Sequence, residues 1–176
     1  KTEVVSMADP VAVNQALVAG QVDAGYVSVD FVPQVERTEH LKILYDISER
    51  VPEVIRFAII GSGKAMADRG EALTRYLTGY AKGIRYFIEN RDETVNFGVS
   101  QTQQPEAEVA RTYDWYVQKK LFQPNAYVDP KLLTAFQELN QQLGFQKQVM
   151  PVERLASWDF QKQVVSSLGV YPGFPG

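Results

Sequence analysis

The sequence predicts an α/β protein in which short strands come first and helices follow. Four short apolar segments rich in β-branched and aromatic residues lie within the first 60 residues, and from Lys64 onward apolar residues recur at helical spacing. A third observation is the stretch Asn14 to Pro33, NQALVAGQVDAGYVSVDFVP, which reads as helix, tight turn, buried strand and second helix start.

Glu3 to Ser6 (EVVS) reads as a strand. Asp9 and Pro10 supply the N-cap and first-turn proline of a helix reaching Ala19, and Gly20 its left-handed stop. Val22 to Val27 reads as a buried strand that ends in small and polar residues (Gly25, Tyr26, Ser28) ahead of a helix start. That is where α/β proteins place ligands, although an ordinary strand-to-helix connection has the same spacing. Val29 to Glu36 fits a short helix and Leu41 to Tyr45 a further strand. A polar link, Glu49 to Glu53, leads into Val54 to Ile60, a buried strand in which only Arg56 is polar.

Glu71 to Asn90 carries apolar residues at Leu73, Tyr76, Leu77, Tyr80, Ala81, Ile84, Phe87 and Ile88, the spacing of one face of a long helix. Pro105 to Leu121 is a second helix, and Asp129 and Pro130 cap a third that Gly144 stops. Pro151 to Ala156 and Asp159 to Leu168 are shorter, and the tail VYPGFPG is loop. Four short strands do not close a sheet comfortably, so sheet partners outside these 176 residues are expected. Lys rather than Met at position 1, with no signal peptide, reads as a processed or trimmed product.

Composition narrows the function classes. The chain is 45% apolar and 22% charged, with formal net charge -3 and pI near 5.3, and no Lys/Arg stripe forms, which argues against nucleic-acid binding. The absence of cysteine removes disulfides, thiolate nucleophiles and Cys-ligated metals. No apolar run approaches the roughly 20 residues of a membrane span.

Few residues suggest catalysis. His40, the only histidine, sits in the polar string ERTEH and reads as a surface residue; no serine has the elbow context of a nucleophile. GSGK at Gly61 to Lys64 lacks the spacing of a phosphate-binding loop and reads as a turn into a helix. Asp23 and Asp30 flank the second strand: a general acid/base pair, or Asp23 bonding turn amides while Asp30 caps a helix or meets a ligand amine. The aromatic stripe Tyr76, Tyr80 and Phe87 and the cluster Tyr113, Trp115 and Tyr116 read as core rather than as a ligand box.

The segment ALVAGQVDAGYVSVDFVP resembles the AL-x-x-G-x-V-D-A signature of periplasmic solute-binding proteins of ABC importers, the nitrate/sulfonate/taurine-type and thiamine-precursor-type family. The likeness continues through IRFAII, KAMADRG, the helix EALTRYLTGYAKGIRYFIENRDETV and the stretch LNQQLGFQKQVMPVERLASWDF, with DRGE standing where the family usually has a proline before the glutamate. The resemblance implies the C-terminal portion of a two-lobed, type II periplasmic-binding-protein fold. Residues 1–50 would end the second lobe, 51–60 would be a crossover strand, and 61–176 would return to the first lobe and its terminal helices.

It also implies capture of a small polar, anionic or heteroaromatic solute (a sulfonate, nitrate, taurine or pyrimidine-like compound) by hinge closure, and delivery to a membrane permease. Ser6, Met7, Tyr26, Ser28, Val29, Asp30 and Arg56 would contact the solute: an aromatic wall, a hydroxyl donor, a carboxylate for an amine and a guanidinium for an acid. No catalytic residue, metal, cofactor, nucleic-acid partner or membrane insertion is expected. The location implied is periplasmic or extracellular, with a lipid anchor compatible. These residues alone would bind solute weakly or not at all, since half of the cleft would lie outside them. An enzyme on the same fold, of the pyrimidine synthase or desulfinase type, would rely on cysteines that this chain lacks. A helical interaction module is the remaining alternative.

Overall fold

The structure, a computed structural model, describes residues 2–47, 55 and 58–176. Among these residues helices are the only regular elements. Eight α-helices run in order: α1 (Pro10–Val18), α2 (Val32–Arg37), α3 (Gly63–Asp68), α4 (Gly70–Glu89), α5 (Arg91–Thr102), α6 (Glu106–Gln118), α7 (Pro130–Gln142) and α8 (Asp159–Leu168). Short 3-10 turns at Val29–Phe31 and Val152–Arg154 lead into α2 and follow α7.

The local signals built the expected helix ends. Asp9 accepts from the Ala12 amide at 2.9 Å and Asp129 from the Lys131 amide at 2.8 Å, each with proline in the first helical turn. Gly20 (φ 66°) closes α1 with two main-chain bonds, Gln21 to Ala16 and Gly20 to Leu17. Gly144 (φ 78°) closes α7 in the same way, through Phe145 to Asn140 and Gly144 to Gln141. Ser62 in the GSGK turn caps α3 by accepting from the Ala65 amide at 3.1 Å.

The α/β expectation is overturned. No strand occurs among the described residues, so neither a sheet nor the two sheet-based lobes of a type II binding-protein fold is present there. Glu3–Ser6, Val22–Val27 and Leu41–Tyr45 are not strands. Val22–Val27 is not buried either: Tyr26 is 55% exposed. Of Val54–Ile60, residues 54, 56 and 57 lie outside the described residues; Ile60 is exposed and has no strand assignment.

The physical reason is that β-propensity reports only whether a side chain suits a pleated surface. A strand exists once a neighbour satisfies its N–H and C=O groups, and no described segment does so here.

The folded body is made by helices. α4 packs along α8, where Ala81 and Val164 are both wholly buried, and α5 packs against α6. Gly98 permits the second contact, since a Cβ there would stand 2.7 Å from Val109 Cγ1. Gly25 lies as close to α1: its Cβ would meet Val13 Cγ1 at 2.8 Å. Tyr113 anchors the α4–α6 contact, its buried hydroxyl donating to the carbonyls of Phe87 and Ile88 at 2.8 and 3.0 Å.

Candidate functional site

The turn Ser28–Asp30 faces α6. Ser28 Oγ donates to Asp30 Oδ2 at 3.1 Å, and the Tyr116 hydroxyl donates to Asp30 Oδ1. Asp30 therefore receives two hydroxyl donors and caps neither the 3-10 turn nor α2. Two ion pairs continue this line between α2 and α6: Glu36 with Arg111, held by both guanidinium nitrogens, and Arg37 with Glu108 at 2.6 Å. The Arg111 guanidinium donating to Glu36 lowers the Glu36 carboxyl below its ordinary range.

α1 joins the same assembly. Asn14, 2% exposed, donates from Nδ2 to Gln34 Oε1 at 2.7 Å, while its buried Oδ1 has no hydrogen-bond partner among the described residues.

Beside this seam, the outer face of α6 and Arg91 of α5 form an open groove of about 400 Å³. Arg91, Arg111, Asp114 and Trp115 line it. Arg91 grips Asp114 through two bonds of 2.8 Å. Those bonds hold the Asp114 carboxyl below its ordinary value and raise the Arg91 guanidinium further above its own. Arg111 belongs to both features, since it lines the groove and pairs with Glu36. The arrangement offers guanidinium groups, a carboxylate and an indole face, suited to a small polar solute.

The expected contact residues divide. Ser28, Val29 and Asp30 sit half-buried on one turn against α6. Tyr26 is exposed, as is Ser6, while Met7 is half-buried; no hydrogen bond joins Ser6 or Met7 to the turn. Arg56 lies outside the described residues. Tyr116 and Arg111 were missed: their partners Asp30 and Glu36 are 86 and 75 residues away, and nothing local in the sequence links them. His40 is exposed, and among the described residues no group of three or more metal-ligating side chains forms. Among the same residues, no helix is long and apolar enough to cross a membrane.

No family model matches the chain, and no curated protein and no solved structure matches it.

Proposed function

We propose that the chain captures a small polar solute for an ABC importer, at the seam between the Ser28–Asp30 turn and α6. The observation that carries this reading is the Asp30 carboxylate held by Ser28 and Tyr116, immediately after the VDAGYV segment of the family-like signature. Asp30 suits an amine, the groove guanidiniums an acid group and Trp115 an apolar or heteroaromatic body. Taurine-like zwitterions, sulfonates, nitrate and aminopyrimidines are the solutes to try. The partner is a membrane permease and the location periplasmic or extracellular. Closure of two lobes forms no part of the proposal, because the described fold is helical.

The test is thermal unfolding with taurine, an alkanesulfonate, nitrate and an aminopyrimidine, each titrated into the millimolar range. One of them raises the melting temperature, because a ligand that binds only the folded chain stabilises it in proportion to RT ln(1 + [L]/Kd). The solute is recovered chemically unchanged. No shift with any of the four, or conversion of the solute, contradicts the reading.

One observation favours a second reading, a helical interaction module. The chain exposes 12726 Å², whereas a compact monomer of its mass exposes about 8,600 Å².

A further inference from the structure

Residues 10–37 fold back on themselves as a small unit. Asn14 of α1 donates to Gln34 of α2, and Gly25 lies against Val13 and Leu17 of α1, where a Cβ would stand 2.8 and 3.1 Å from their side chains. Helices of nine and six residues do not persist alone in water, so the unit depends on what it docks against. Among the described residues, its hydrogen bonds and ion pairs to later helices all end on α6: Asp30 with Tyr116, Glu36 with Arg111 and Arg37 with Glu108. Three of the four ion-paired side chains are more than 40% exposed, so each pair holds the unit weakly.

The groove on α6 has a matching charge. Its lining carries two guanidiniums, Arg91 and Arg111, and one carboxylate, Asp114. Arg91 and Asp114 hold each other through two bonds of 2.8 Å, and Arg91 also lies 5.9 Å from the Tyr113 ring centre, so this pair is built into the α5–α6 contact. Arg111 is left as the net positive charge of the lining. Its partner comes from outside the groove, from the weakly held α2, and takes both of the guanidinium nitrogens that arginine presents as a fork to an oxyanion.

We infer that Glu36 is an internal anion on Arg111, and that a monoanionic acid entering the groove displaces it and loosens α2 from α6. Solute entry and docking of α2 then compete for one guanidinium. The coupling is reciprocal, so whatever weakens the Glu36 contact tightens the groove. This competition rests on the reading that the acid group of the solute meets the groove guanidiniums.

The probe is methanesulfonate, titrated at constant ionic strength into the isotope-labelled chain, with backbone amide NMR shifts reading both affinity and place. In the parent, shifts appear at Arg111 and Trp115, the α2 amides move toward random-coil positions, and α4 and α8 stay unchanged. Glu36→Gln tightens methanesulfonate binding about two- to fivefold, the span of an exposed ion pair. Glu71→Gln, which removes the same charge from an exposed pair in the first turn of α4, leaves the affinity unchanged. Arg111→Gln abolishes binding. Binding by Glu36→Gln but not by the parent supports the competition and counts against sulfonate capture by the parent. Saturation of the parent with α2 unmoved, or no gain in affinity on Glu36→Gln beyond that of Glu71→Gln, overturns the competition and leaves solute capture standing. Binding that survives Arg111→Gln, or binding by neither the parent nor Glu36→Gln, overturns it as well.

Discussion

Arg85 and Asn125, 40 residues apart in sequence, are joined by a 3.1 Å hydrogen bond from Nη2 to Oδ1. The same guanidinium donates to the Pro124 carbonyl in the loop after α6 and to the Leu168 and Gly169 carbonyls, which the end of α8 leaves without a helical partner. Asn125 has no exposed surface. Its Oδ1 also accepts from the Tyr171 amide at 2.7 Å, and its Nδ2 donates to the carbonyls of Tyr171, Phe174 and Pro175. Two side chains thus tie α4, the loop after α6, the end of α8 and the C-terminal tail into one body.

Replacing Asn125 with Ala strands the Tyr171 amide and three tail carbonyls. Urea denaturation is expected to show a loss of about 2–3 kcal/mol, the cost of leaving buried polar groups unpaired. A double-mutant cycle with Arg85→Ala should give a coupling of at least about 0.5 kcal/mol. Additive effects would mean that the two residues act separately.

The α5–α6 contact depends on the missing side chain of Gly98. Gly98→Ala drives a methyl into Val109 Cγ1, and valine in a helix has little rotamer freedom to yield. The variant should be destabilised by about 1–3 kcal/mol despite the better helix propensity of alanine. Adding Val109→Ala removes the obstructing methyl and should recover part of the loss. A Gly98→Ala variant more stable than the parent would show that the helices separate freely.

Asp114 gives the acid limb a defined sign. The Arg91 hydrogen bonds lower its carboxyl in the folded chain, so the stabilisation is fully present above the ordinary value of 3.8 and is lost as pH falls through the lower folded value. Asp114→Asn should therefore flatten stability against pH below about pH 4 and leave that slope unchanged at neutral pH. The change should be small and salt-sensitive, because the Asp114 side chain is 43% exposed. An unchanged acid limb in the variant would contradict it.

What the sequence showed and what it hid follow from the reach of each interaction. Asp9, Gly20, Asp129 and Gly144 act on amides and carbonyls within five residues, and all four helix ends form where they were expected. The strand segments depended on a neighbour that propensity does not reveal. α5 was not read as a separate helix: the long helix was ended at Asn90, or at Val95 in the family resemblance, because RDETVNFGVSQT has no apolar stripe to mark a separate element and the break at Asn90 (φ −119°, ψ 67°) involves neither glycine nor proline. At the candidate site, Ser28, Val29 and Asp30 were singled out from their place after VDAGYV, where a helix from Val29 was expected and a 3-10 turn, Val29–Phe31, precedes α2. Tyr116 was read only as core, because its bond to Asp30 exists only after α2 and α6 meet.

Asp30 separates solute contact from packing. Asp30→Asn keeps one carbonyl oxygen to accept from one of the two hydroxyls and replaces the other oxygen by an NH2 that can donate to the second hydroxyl's oxygen. It removes the charge, so it should abolish the solute-induced rise in melting temperature while leaving the solute-free value within a few degrees. Tyr116→Phe should lower the solute-free value by removing the α6 bond. Full solute stabilisation in the Asp30→Asn variant would remove Asp30 from the site.

Hydrogen exchange tests the central claim most directly: a body built by helices, with the strand-prone segments 2–7 and 42–45 outside any sheet among the described residues. Amides of α4 and α8 should be protected, and those of residues 2–7 and 42–45 should exchange rapidly. Strong protection of these segments in the monomer would mean that they pair as strands within the chain, and would contradict the account.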